Sequence, residues 1–130
     1  MMHIEHVAIW TSNLERLRTF YASHFGAIVG PRYVNTAKQF ESYILRFESG
    51  ARLEIMHKPA LEPRSAQTGQ DRAGYAHIAF ALGSRERVCE MTVRLTAAGC
   101  PILDGPRLTG DGYFESAVLD PDGNRIELTA

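Results

Sequence analysis

Two histidines and two glutamates stand out, because their types and places suit a single divalent cation. His6 and His77 lie in apolar stretches, His6-Val7-Ala8-Ile9 and His77-Ile78-Ala79-Phe80. Glu54 and Glu127 sit between apolar neighbours, Leu53-Glu54-Ile55 and Ile126-Glu127-Leu128. Along a strand, side chains alternate between two faces. Leu53 and Ile55 then share one face and Glu54 takes the other, as Glu127 does against Ile126 and Leu128. His6 opposes Val7 and Ile9; His77 opposes Ala76, Ile78 and Phe80. Ala8 and Ala79 lie beside the histidines and leave space for a metal and a substrate. Two imidazoles and two carboxylates fit an ion of intermediate hardness, Zn, Ni, Co, Mn or Fe. Four protein ligands leave positions for water or for two adjacent substrate oxygens, whose developing charge the ion would offset.

The elements that must position these side chains occur twice. Ile4–Trp10 reads as a strand, and so does Tyr75–Phe80. A helix follows each. The first opens at Ser12 with Glu15 three residues on, a capping-box pattern, and Leu14, Leu17, Phe20, Tyr21 and Phe25 recur at helical spacing until Gly26. The second starts near Ser84, carries Val88, Met91, Leu95 and Ala98, and stops at Gly99. A short apolar strand closed by Gly-Pro-Arg comes next: Ile28-Val29-Gly30-Pro31-Arg32 and Ile102-Leu103-Asp104-Gly105-Pro106-Arg107. A further strand opens with Phe-Glu-Ser both times, at Phe40 and at Phe114. A turn, Glu48-Ser49-Gly50 or Asp120-Pro121-Asp122-Gly123-Asn124, leads to the last strand, Arg52–Met56 or Arg125–Thr129. The expected fold is α+β, two βαβββ repeats forming curved mixed sheets in a single domain. Repeat one spans 1–57 and repeat two 74–130. Residues 58–73 are rich in Pro, Arg, Gln and Gly and read as a linker or mobile loop.

The bulk numbers set limits. At 130 residues the chain has the length of one domain, enough to bury ~70% of its unfolded surface. A net charge of −1 gives no basic surplus for a nucleic acid or an anionic membrane. No apolar run reaches the ~18 residues a membrane span needs. The start of the chain has no basic leader before an apolar block, so the expected location is the cytoplasm. Cys89 and Cys100 are too few for a disulfide framework and read as small buried apolar residues.

Taken together, His6-Val7-Ala8-Ile9, Leu53-Glu54-Ile55, Gly74–Phe80 and Leu119–Leu128 resemble the vicinal-oxygen-chelate superfamily, which includes glyoxalase I, bleomycin-resistance proteins, methylmalonyl-CoA epimerases, fosfomycin-resistance thioltransferases and extradiol dioxygenases. The resemblance covers essentially the whole chain. It implies the ligand order His6, Glu54, His77, Glu127, which is that of lactoylglutathione lyase (glyoxalase I); dioxygenases and fosfomycin-resistance enzymes have His at the second position, epimerases typically Gln. It further implies a lyase or isomerase acting on a small substrate chelated through adjacent oxygens, such as the hemithioacetal of a 2-oxoaldehyde and a thiol. A carboxylate moves a proton between neighbouring carbons through an enediolate. Glu127 is the expected base and Glu54 the alternative.

The resemblance fails at two places. Short glyoxalase I enzymes tend to carry an Arg four residues after the first ligand His and an Asn four residues after the first ligand Glu, both gripping glutathione. Here Trp10 and Lys58 stand there. Lys58 lacks Arg's bidentate geometry, and Trp10 offers either a stacking wall or core packing. Arg107 is a candidate for an anionic substrate, as is Arg32, and Tyr113 belongs to a glycine-rich loop able to close over a substrate. His3, His24 and His57 have no repeat partner and are expected not to be ligands. Small members of the family often share each site between subunits, so a homodimer is expected, His6 and Glu54 of one chain meeting His77 and Glu127 of the other; a site within one chain is the alternative. The alternative functions are a non-catalytic drug- or metabolite-binding protein and a metal-dependent epimerase.

Overall fold

The computed structural model describes residues 1–64 and 71–130. The chain divides into two compact units, Met1–Ala66 and Gln67–Ala130. The expected linker falls where the units meet in sequence; its residues 65–70 lie outside those described, and its described part holds no helix or strand.

The first unit runs β1 (His6–Trp10), α1 (Leu14–Phe25), β2 (Ile28–Val29), β3 (Tyr33–Asn35), β4 (Phe40–Arg46) and β5 (Arg52–His57). Its sheet has the order β1-β5-β4-β2, with β3 also on β4. β1 and β5 are parallel, and β4 is antiparallel to its neighbours, so the sheet is mixed. The short β3 is an addition that the repeat did not anticipate. The second unit runs β6 (His77–Ala81), α2 (Arg85–Ala97), β7 (Ile102–Leu108), β8 (Phe114–Leu119) and β9 (Arg125–Thr129), in the order β6-β9-β8-β7. β6 and β9 are parallel and the remaining pairs antiparallel.

Each helix covers one face of its own sheet. In the first unit Leu14, Leu17, Phe20 and Tyr21 of α1 are buried, as are Tyr43, Leu45, Leu53 and Ile55 of the sheet. Leu17, Leu45 and Ile55 are fully buried, each contributing roughly 1.5–3 kcal/mol over exposure. In the second, Val88 and Leu95 of α2 and Val118, Ile126 and Leu128 of the sheet are buried. In each unit a hydrogen bond links helix to sheet at a matched position: Tyr43 Oη donates to Glu15 Oε1 at 2.7 Å, and the hydroxyls of Ser116 and Thr92 lie 2.7 Å apart.

The helix ends follow local chemistry. α1 is capped by Asn13, one residue later than expected, whose Oδ1 accepts from Arg16 N at 3.0 Å; Ser12 does not cap. Gly26 closes it at φ +64°, a left-handed turn that a β-carbon disfavours. Ser84 caps α2 as expected. Cys89, expected to be buried, is exposed on α2; Cys100 is half-buried, and burial pushes its thiol up. No helix among the described residues is long and apolar enough to cross a membrane.

The two Gly-Pro-Arg segments part company. Gly30-Pro31-Arg32 ends β2, whereas Gly105-Pro106-Arg107 lies inside β7, which continues to Leu108. Two register shifts in the β7–β8 ladder take up the difference. Gly105 has φ +80°, and a β-carbon there would meet Glu115 O at 2.5 Å and Ser116 Cα at 3.0 Å. The bulged strand brings Arg107 directly opposite Glu115.

Candidate functional site

The ladder β1–β5 pairs Ala8 with Glu54 and Trp10 with Met56. Since β1 and β5 alternate in step, His6, Ala8 and Trp10 share a face with Arg52, Glu54 and Met56. The opposite face carries Leu53 and Ile55 against α1. The ladder β6–β9 repeats this: Ala79 pairs with Glu127, and His77 shares the face of Glu127, away from Ile126 and Leu128. A turn fixes where β9 begins. Buried Asp120 accepts from Asp122 N and Asn124 N through Oδ1, both at 2.9 Å, and from Asn124 Nδ2 through Oδ2 at 2.8 Å.

Each unit brings one imidazole to one carboxylate. His6 Nε2 lies 3.8 Å from Glu54 Oε2, and His77 Nε2 lies 3.2 Å from Glu127 Oε2. Both glutamates are largely covered, at 20% and 14% side-chain exposure, and both histidines are more open, at 44% and 38%. Among the described residues no group of three or more His, Cys, Asp or Glu side chains gathers to hold a metal ion; each unit presents two of the expected four ligands.

The surroundings of the two pairs differ. Glu5, which sequence reasoning passed over, hydrogen-bonds His6 Nδ1 and pairs with Arg52. The bond from His6 and the charge of Arg52 hold Glu5 below the usual glutamate range. With Nδ1 so occupied, Nε2 is the nitrogen His6 presents toward Glu54, the arrangement in which an outer carboxylate fixes a metal-binding tautomer. In the second unit Ala76 stands where Glu5 does, and Arg125 lies instead beside Glu127, Nη2 to Oε1 3.6 Å.

A second acid joins Glu127. The β8–β9 ladder pairs Ala117 with Glu127 and Glu115 with Thr129, so Glu115 is a diagonal neighbour of Glu127 on the same face. Burial first, and then the Glu127 charge, push the Glu115 carboxyl up. Arg107 lies opposite Glu115, its Nε 2.5 Å from Asp104 Oδ2, a bond that raises its pKa. The corresponding tripeptide of the first unit behaves otherwise. Glu41 alternates onto the α1 side of β4, with Tyr43 and Leu45, and pairs with Arg32 Nη2 at 2.6 Å; that hydrogen bond holds it below the usual range. The residue matching Glu115 in register is Ser42, opposite Met56 as Glu115 is opposite Thr129.

Five further candidates can be placed. Trp10 is 45% exposed and outside the core, with Lys58 Nζ 4.7 Å from its ring centre. Arg107 is half-exposed, and Tyr113 sits exposed at the end of the β7–β8 loop, its N–H donating to Thr109 Oγ1 at 2.9 Å. Arg32 is engaged by Glu41. His57 Nδ1 meets Thr11 O at 2.9 Å, and His24 packs on Phe20.

A family model described as the Glyoxalase/Bleomycin resistance protein/Dioxygenase superfamily matches residues 3–128. The uncharacterised protein YqjT of Bacillus subtilis (strain 168) is 30% identical, with 98% of each chain covered. A glyoxalase family protein from Enterococcus faecalis superposes with TM-score 0.78 at 26% identity, covering 98% of this chain and 96% of that one. The trypanothione-dependent glyoxalase I of Leishmania major superposes with TM-score 0.77 at 22% identity, covering 99% of this chain and 86% of that one. The last likeness is one of fold. Two mixed sheets, each with its helix, and a family model that spans nearly the whole length agree: the chain is a member of the Glyoxalase/Bleomycin resistance protein/Dioxygenase superfamily, with its α+β fold.

Proposed function

We propose that the chain is a metal-dependent lyase or isomerase of the glyoxalase type, acting on a small substrate held through adjacent oxygens. The observation that carries this reading is the twofold occurrence of one arrangement: an imidazole Nε2 facing a covered glutamate oxygen across a parallel strand pair, at 3.8 Å and 3.2 Å. We assign His6, Glu54, His77 and Glu127 as the ligands of one divalent ion, each unit giving one pair. The donor set fits Zn, Ni, Co, Mn or Fe. When bound, the cation polarises the substrate's two oxygens and offsets the charge that builds on them.

The chain's own residues then have distinct tasks. Glu5 keeps the His6 proton on Nδ1. Glu127 is the proposed base, taking the proton from one carbon and returning it to the next. Arg125 at 3.6 Å gives its carboxylate a countercharge to turn toward, while Arg52, the matching residue, is taken by Glu5. Glu115 places a second carboxyl on the same face, diagonal to Glu127. Trp10, Lys58, Arg107 and Tyr113 are the proposed substrate contacts.

The test is turnover of methylglyoxal with a series of thiols, glutathione among them, by protein loaded in turn with each of the five metals. Thioester formation with at least one thiol is expected; none with any pairing contradicts the reading and moves it to a binding protein or an epimerase. Mixing His6→Ala and His77→Ala chains then separates the two assemblies. A homodimer with shared sites regains one intact site per mixed dimer, and a site confined to one chain regains none.

A further inference from the structure

On the face of the first unit that carries His6 and Glu54 lies a row of aromatic rings. Trp10 meets Phe40 edge-on with centroids 6.0 Å apart, and Phe40 meets Tyr33, also at 6.0 Å. Register places all three on this face: Trp10 pairs with Met56, Tyr33 with Ser42, and Phe40 alternates with Ser42. Trp10 is 45% and Tyr33 54% exposed. Lys58 lies over the Trp10 ring, and among the described residues no carboxylate pairs with its ammonium. The fold does not demand this row. The second unit makes the same ladder with Ala81 in Trp10's place, opposite Thr129.

We propose that Trp10, Phe40, Tyr33 and Lys58 form the specificity wall of the site, which selects a substrate whose unreactive arm is flat, aromatic and carries a carboxylate. This rests on the reading of the previous subsection for what the site does, but not for what the wall binds. Ring faces and edges attract flat π-systems over branched or flexible chains. A cation held on an indole face keeps its charge beside the ring, where a carboxylate on an aromatic arm can reach it. Lys58 offers a point charge and no fork, so one carboxylate at the end of a stacked arm suits it better than the two carboxylates and ammonium of glutathione.

Trp10 is the sole tryptophan of the chain, so its emission reports on the wall directly. The probe is 3-phenylpropanoate, added to protein stripped of metal with a chelator. Cyclohexylpropanoate, 3-phenylpropanamide, propanoate and glutathione serve as comparisons. A saturable change in Trp10 emission is expected with 3-phenylpropanoate, at affinity about tenfold above each comparison. Lys58→Gln should lower affinity for the carboxylate by about the same factor and leave the amide unchanged; Phe40→Ala should weaken both. No saturable change, an equal response to glutathione or propanoate, or emission that follows protein dilution and not added ligand, which would mean a second copy covers the wall, overturns the proposal. Metal content measured on the same preparation keeps the two readings apart: arm binding without any metal affinity sinks the lyase and leaves the wall.

Discussion

Around His6 and Glu54 the sheet presents Trp10, Met56, Ile44 and Ser42; at the matching places around His77 and Glu127 it presents Ala81, Thr129, Ala117 and Glu115. Arg52 is drawn off by Glu5, whereas Arg125 stays with Glu127. The helix faces, by contrast, are built alike, each with a buried apolar core and a hydrogen bond from the same strand position to the helix. A duplicated unit keeps what folding requires and is free to vary what faces the substrate. One copy sets an aromatic row with Lys58 beside an arginine already paired to Glu5, the other a surface where Glu115, Glu127 and Arg125 meet.

The largest effect should be equal in both copies, because the proposed ligands are what they share. His6→Ala and His77→Ala should each lower turnover at least as much as loss of an outer-shell partner, ~100-fold. A severe effect in one copy and none in the other breaks the idea that both contribute to one centre.

The glycines of the two Gly-Pro-Arg segments should differ most in stability. Gly105→Ala places a β-carbon 2.5 Å from Glu115 O at a positive φ. It should cost ~3 kcal/mol or more by urea denaturation. Gly30→Ala, whose β-carbon would meet Ile44 O at 3.4 Å, should be tolerated. Equal costs would mean that the bulge in β7 is not what holds Arg107 across from Glu115.

The two Phe-Glu-Ser glutamates should give opposite pH profiles in metal-free protein. Glu115 is raised by burial and by Glu127. Wild-type stability therefore falls as pH rises from the ordinary glutamate value through the raised one, and Glu115→Gln removes that fall. Glu41 is lowered by Arg32. Its contribution is present above the ordinary value and disappears as pH drops through the lowered one, so Glu41→Gln is destabilising only on the less acidic side. Urea midpoints from pH ~3 to ~7 read both signs. Like signs would contradict the opposite surroundings of the two carboxyls, Arg32 beside Glu41 and burial beside Glu127 for Glu115.

The smallest effect concerns the helix faces. Tyr43→Phe removes the bond to Glu15 and should cost ~1 kcal/mol. Ser116→Ala should cost no more, because Thr92 keeps its bond to Val88 O at 2.6 Å.

Much of this was legible in the sequence. Strand alternation, helix-stopping glycines and the Asp120–Asn124 turn are local signals, and they placed the βαβββ units and put each His on the face of its Glu. The offset of Phe-Glu-Ser was missed, although its signal was present: Glu115 is one residue nearer to Glu127 than Glu41 is to Glu54. With a period of two, a single residue turns a side chain to the other face. A repeated tripeptide suggested equivalence where ladder register decides otherwise. The path of Gly105-Pro106-Arg107 was not readable, because a bulge depends on the strand beside it. Glu5 was hidden because it has no counterpart in the second copy, and equivalence between copies was the criterion that singled out the four proposed ligands.

The most direct test of the central claim is metal content after loading and dialysis, measured on the wild type, Glu54→Ala and Glu127→Ala. One divalent ion per chain in the wild type, lost from both variants, is the predicted outcome. A wild-type chain that retains none, or an ion that survives removal of either carboxylate, would show that the two His–Glu pairs do not serve one cation.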